Sequence, residues 1–163
     1  MPKMNDGGIA LLKKCEGCIL HAYDDANDQP VNPGSTVHGK ITIGYGHTGS
    51  DVFPGLTWSQ AQADEALAHD VAAVVAEVTP LIRAQLNDNQ FSAFVCFAFN
   101  IGLHAFAGSS ALQLANENHL ADVPSHIALW DKTTINGRLV VSGGLQNRRN
   151  AEIALWNTPI GNA

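Results

Sequence analysis

Glu16 stands in Cys15-Glu16-Gly17 at the end of an amphipathic stretch, and two short segments able to work with it follow. The first is the acidic turn Tyr23-Asp24-Asp25. The second is the threonine-led, glycine-rich run Thr42-Ile43-Gly44-Tyr45-Gly46-His47. Two carboxylates on different elements suit acid-catalysed hydrolysis of a glycosidic bond. One gives a proton to the leaving oxygen, and the other stays ionised and works with a water. The pattern reads as an enzyme.

The chemistry depends on the elements that hold these residues. Residues 5–16 have the spacing of a short helix, with Asn5 or Asp6 as its cap and Gly17 as its stop. Ile9, Leu12 and Glu16 fall on one face at i, i+3 and i+7, so Glu16 shares the core-facing stripe. It also stands at the helix C-terminus, where the macrodipole opposes negative charge. Burial and dipole both favour the protonated acid. The plainer reading is a surface glutamate at a frayed helix end.

Leu20-His21-Ala22-Tyr23 and Ile41-Thr42-Ile43-Gly44-Tyr45 are strand-like, and Ala26–Lys40 between them reads as a long loop. The acidic run Asp24–Asp28 lacks the glycine and the closing glutamate of a calcium loop. No metal is expected. Gly44 and Gly46 leave room for a sugar to approach the strand.

From Thr57 onward the pattern turns helical. Thr57-Trp58-Ser59-Gln60 reads as a capping box before a helix reaching about Val78, which Thr79-Pro80 breaks. Asn87-Asp88-Asn89-Gln90 offers a second box before the apolar stripe of Phe91, Phe94, Val95, Ala98 and Phe99, which Gly102 ends. Further helices are expected from Ser109 or Ser110 to about Glu117, and from Asp122 with Pro124 in the first turn. After a Gly143-Gly144 turn, a last helix runs from Leu145 to Trp156. Periodicity gives an N-terminal α+β portion and a helical remainder. Trp58, Trp130 and Trp156 could stack on sugars, although core packing suits Trp130 and Trp156 better.

The chain has 163 residues, 45% hydrophobic and 15% charged, enough for one folded domain with a sizeable core. Its formal charge is −6, so phosphate-dominated attraction to nucleic acid is not expected. No apolar run reaches the roughly 20 residues of a membrane-spanning helix, and no signal peptide is read. Three cysteines, Cys15, Cys18 and Cys96, argue against a disulfide scaffold. A lone Cys15-x-x-Cys18 is a weak metal or redox signal, and small apolar filler is the simpler role.

In this order and spacing the motifs resemble the phage lysozyme (endolysin) family over roughly residues 8–156. The resemblance rests on Glu16-Gly17, Ala22-Tyr23-Asp24-Asp25 and Thr42–His47. It continues in Phe99-Asn100-Ile101-Gly102 and in Gly144-Leu145-Gln146-Asn147-Arg148-Arg149 with Glu152. It implies a lysozyme-like α+β fold over residues 1–163. A small β lobe at about 17–55 would face a larger helical lobe at about 56–163, joined by the N-terminal helix, with the active-site cleft between them.

The resemblance further implies a glycoside hydrolase that cleaves the β-1,4 bond between N-acetylmuramic acid and N-acetylglucosamine in peptidoglycan. Glu16 matches the family's acid. Asp25 matches the second carboxylate, with Asp24 as the alternative register, and Thr42 matches the threonine that helps hold the attacking water. An inverting mechanism would need the carboxylates roughly 6.5–9.5 Å apart.

Tyr45 and His47 are placed as supporting residues, the histidine paired with an acidic side chain. Arg148 matches an arginine that approaches the catalytic glutamate, or forms an i,i+4 surface pair with Glu152. Arg149 is given the structural pairing with Glu152. A cation beside Glu16 would oppose the burial and dipole effects. Asn100 either hydrogen-bonds the chain around the β lobe or faces the sugar.

The family implies a monomer without a cofactor, without stable membrane insertion, that waits in the host cytoplasm for a holin pore. The Ala26–Lys40 loop is longer than in compact members, and the acidic charge weakens long-range attraction to an anionic wall. Two other readings are a catalytically inactive peptidoglycan-binding module and the same hydrolase used as a tail-associated or toxin domain.

Overall fold

Asn5 caps the first helix, α1 (Asp6–Glu16), its side-chain Oδ1 accepting the Gly8 N–H at 3.0 Å. The computed structural model describes residues 2–159, which divide into two units, one of residues 13–73 and one of residues 2–12 with 74–159.

In the smaller unit, β1 (Ile19–Asp24), β2 (Gln29–Pro30) and β3 (Ile41–Gly44) form an antiparallel sheet in the order β2-β1-β3. The segment 26–40 is therefore not a plain loop. It contributes a two-residue edge strand that pairs Tyr23 with Pro30, as suits a proline that cannot donate to a central ladder.

The helix α2 (Gln60–Val78) begins two residues later than the Thr57 box predicts its cap. Ser59 and Gln62 close the box instead: Gln62 Oε1 accepts the Ser59 N–H at 2.8 Å, and Ser59 Oγ accepts the Gln62 N–H at 3.3 Å. Thr57 is engaged elsewhere, bridged to His21.

The larger unit is built on α3 (Asp88–Ile101), whose capping box is the Asn87–Gln90 pair expected and whose residues Phe91–Ala98 are all buried. α4 (Leu103–Ala107), which periodicity does not reveal, brings Phe106 against Phe94 and Phe97, with ring centroids at 5.2 and 6.2 Å. Trp156 lies 4.8 Å from Phe94 and Trp130 5.8 Å from Phe97, so both tryptophans pack in this core. Full burial of each phenylalanine contributes about 1.5–3 kcal/mol. α5 (Ser110–Asn116) and α6 (Val123–Ala128) follow, capped by Ser109 and opened by Pro124 respectively.

The remainder is not wholly helical. β4 (Lys132–Ile135) and β5 (Arg138–Val141) form an antiparallel hairpin through Asn136-Gly137. Both turn residues have positive φ, 50° and 76°, the geometry that Asn-Gly supplies in a two-residue hairpin. Gly143-Gly144 is not a turn either. Ser142 Oγ accepts the Leu145 N–H and so caps α7 (Gly143–Asn157), which starts at the glycines.

Candidate active site

α1 delivers Glu16 as its last residue, half-buried, and the Gly17 N–H closes the final turn on Lys13 O at 3.3 Å. β1 starts only three residues later. Strand alternation puts Ala22 and Asp24 on the buried face of β1, and Tyr23 and Asp25 on the other. The register pairs Tyr23 with Thr42 and Asp24 with Ile41. The Asp25 N–H, bonded to Lys40 O at 3.1 Å, extends the ladder by one residue. Tyr23, Asp25, Thr42 and Lys40 therefore share a face. Thr42 is buried there and its hydroxyl donates to Lys40 O at 3.2 Å.

The Tyr23 phenol is sensitive to the charges near it. Burial raises it above its ordinary value, and the charges of Asp28, Asp25 and Glu16 push it the same way. Glu16 and Asp25 thus both lie within electrostatic reach of one side chain. Their surroundings differ, since Glu16 is half-buried and Asp25 is exposed.

The two aspartates that the sequence leaves open have different surroundings. Asp24 is buried, and its carboxylate accepts three backbone N–H bonds: His38 at 2.7 Å, Gly39 at 2.8 Å and Ala26 at 3.1 Å. These bonds, His38's first, hold its carboxyl below the usual range. Asp24 fastens the far end of the 26–40 segment to β1. Asp25 Oδ1 accepts the Lys40 N–H at 2.7 Å. Gly39 leaves room for both carboxylates, because a Cβ at that position would collide with Asp25 Oδ1 and stand 2.9 Å from Asp24 Oδ1, so the carboxylates would have to shift.

Two opposite outcomes are expected. Asp25→Asn should lower turnover about 10²-fold or more with its thermal midpoint kept. Asp24→Asn should lower the midpoint, and the folded fraction should remain active. Asp24's stabilisation is present at neutral pH and is lost as the pH falls through its depressed value, so the midpoint difference should shrink in acid. Paired melting curves and turbidity assays decide, and the reverse pattern would move the second carboxylate to Asp24.

His47 and Tyr45 are both held by hydrogen bonds. His47 Nδ1 meets Asp70 Oδ2 at 2.8 Å and Nε2 meets Asp51 Oδ2 at 3.1 Å, while its ring lies 5.5 Å from Trp58. Burial works against the imidazolium, but the bonds to Asp70 and Asp51 outweigh it and raise the His47 pKa. Tyr45 is buried. Its hydroxyl donates to Asp64 Oδ1 at 3.1 Å and accepts from Gln60 Nε2 at 2.9 Å, and Lys13 Nζ bridges Asp64 Oδ2 at 2.8 Å. Sequence reasoning missed this Lys13–Asp64–Gln60–Tyr45 network. The Gln60/Asp64 spacing on α2 was its only visible signal.

In the larger unit, Arg148, Arg149 and Glu152 are buried, so the pairing with Glu152 is not a surface one. Arg149 donates one Nη2 to Glu152 Oε1 at 2.9 Å and to Asn100 Oδ1 at 2.7 Å, and its guanidinium lies 5.0 Å from the Phe97 ring centroid. Arg148 Nε reaches the same Glu152 oxygen at 3.4 Å. The partner of Asn100 is thus Arg149, an option the sequence did not suggest. Burial pushes the Glu152 carboxyl up to about 7 against the pull of Arg149 and Arg148.

None of the three cysteines is in a disulfide, and Cys96 Sγ donates to Gly8 O at 3.4 Å. Among the described residues no group of three or more His, Cys, Asp or Glu side chains is arranged to hold a metal.

An acidic residue ending the first helix, a short antiparallel sheet and a helical unit around a central apolar helix define a lysozyme-like α+β protein. The muramidase domain of SpmX from Asticaccaulis excentricus shares this fold. It has a TM-score of 0.86 and 31% identity, covering 98% of this chain and 100% of that one. The sequence pattern of the phage lysozyme family matches residues 13–152, and the chain belongs to that family.

The endolysin of Bacillus phage PZA is 38% identical over 96% of this chain. The endolysin of Acyrthosiphon pisum secondary endosymbiont phage 1 is 32% identical over 95%. The chain spans 55% of the length of the first and 98% of the second.

Proposed function

We propose that the chain is a peptidoglycan hydrolase of the muramidase type that serves in lysis of the bacterial host. The observation that carries this reading is the pair of carboxylates in unlike surroundings, Glu16 half-buried at a helix end and Asp25 exposed beside Thr42 on a strand face. Protonated Glu16 gives its proton to the glycosidic oxygen as the bond from the muramic anomeric carbon breaks. Ionised Asp25 stabilises the positive charge developing on the sugar and, with the Thr42 hydroxyl, orients a water toward that carbon. The water adds its oxygen there, its proton passes to Asp25, and a reducing N-acetylmuramic end results.

Tyr45 and His47 act by holding β3 and its turn against α2. Arg148 and Asn100 support the buried cluster of the larger unit, Arg148 through Glu152 and Asn100 through Arg149. Release to the wall would follow opening of a holin pore, and the working form would be a monomer.

Digestion of purified peptidoglycan followed by mass spectrometry tests the chemistry. Soluble muropeptides with reducing muramic ends are expected. Anhydro ends would reassign the chain to the transglycosylases. Binding without soluble product would make it a wall-binding module.

A further inference from the structure

The β4–β5 hairpin has no place in the chemistry above, and it presents an unusual surface. Leu139 is 71% exposed, Ile135 55%, Val141 54% and Val140 37%. The register pairs Ile135 with Arg138, Thr134 with Leu139 and Lys132 with Val141. Alternation then places Leu139 and Val141 with Lys132 on one face, and Ile135 and Val140 with Arg138 on the other. Each face carries two apolar side chains and one cation. From Lys132 to Ser142 there is no acidic residue, although the whole chain carries −6. Asp131, just before the hairpin, is turned to α7, where its Oδ2 accepts from Gln146 Nε2 at 3.2 Å.

A flat protein partner would cover one face of such a ribbon and leave the other wet. An interface that surrounds a projecting tip covers both. We propose that this hairpin docks the protein on an anionic phospholipid bilayer. Its Ile135-Asn136-Gly137-Arg138-Leu139 end would enter the headgroup region, and Lys132 and Arg138 would meet lipid phosphates. The contact is peripheral and reversible. It needs no spanning segment, and among the described residues no helix is long and apolar enough to cross a membrane.

Flotation with phosphatidylglycerol-containing vesicles and with pure phosphatidylcholine vesicles tests the proposal on the intact chain. The protein should float with the anionic vesicles, and about 0.5 M salt should release a large part of it. The double variant Ile135→Ser/Leu139→Ser should bind about tenfold more weakly or worse. Lys132→Glu/Arg138→Glu should lose the preference for anionic lipid. All four side chains lie on an exposed hairpin, and unchanged melting curves would show that both variants fold. Three results would overturn the proposal. One is no flotation, and another is flotation that both variants retain. The third is a wild-type dimer that the serine variant converts to monomer, since a second copy would then be what covers the hairpin.

Discussion

Glu16→Gln is expected to abolish clearing of purified peptidoglycan, with turnover falling about 10²–10⁴-fold and the melting curve little changed. The amide keeps the size and the hydrogen-bonding outline of the acid but has no proton to give to the departing oxygen. α1 fixes the position independently of that side chain, because its last turn is closed by the backbone bond from Gly17 to Lys13 and its first by Asn5. The variant should still bind insoluble wall, so its loss should appear in kcat rather than KM. Undiminished clearing by the variant would remove Glu16 from the chemistry. It would then leave Asp25 without the proton-donating partner the proposed chemistry needs.

How far the sequence carries depends on whether an element is specified locally. α1, α3 and their caps are legible, because Asn5, Asn87 and Gln90 act on backbone within one turn and the apolar stripe declares the buried side. The start of α2 is misread for a related reason. Thr57 and Ser59 both present a side chain three residues before a glutamine, and only the pairing of Thr57 with His21 removes the first. The hairpin at 132–141 is overlooked because its strands bury neither face, so no alternation of apolar and polar residues marks them. The Asn136-Gly137 dipeptide between β-branched runs was the available signal.

At the site, the residue types and their order are legible, but the division of labour between Asp24 and Asp25 is not. It depends on which carboxylate meets the amides of His38 and Gly39, and those are brought in by a segment whose path no pattern dictates. Asn100 is a parallel case: its neighbours in sequence say only that an amide on an apolar helix needs a partner. That partner, Arg149, comes from the last helix of the chain.

Arg149→Ala should be the most destabilising single change in the larger unit, at about 3–5 kcal/mol. It removes a guanidinium that is 1% exposed and serves Glu152, Asn100 and the face of Phe97 together. Its pH dependence separates this loss from simple cavity formation. In the wild type the Glu152 carboxyl, raised by burial from its ordinary 4.5 to about 7, holds its proton more tightly folded than unfolded. A raised folded value means that the stabilisation is complete below the unfolded value and is lost as pH rises to about 7, after which the curve levels. Arg149 is the largest influence lowering that value. Without it the carboxyl stays protonated to higher pH, and the loss of stability continues past 7 where the wild type has levelled. Chemical denaturation of both proteins between about pH 5 and pH 9 should therefore show curves that diverge toward the alkaline side. Parallel curves would mean that Arg149 acts by filling space alone, with Glu152 taking its charge from Arg148. Combining the change with Glu152→Gln should bring the curves back to parallel, because the group whose titration separates them is then gone.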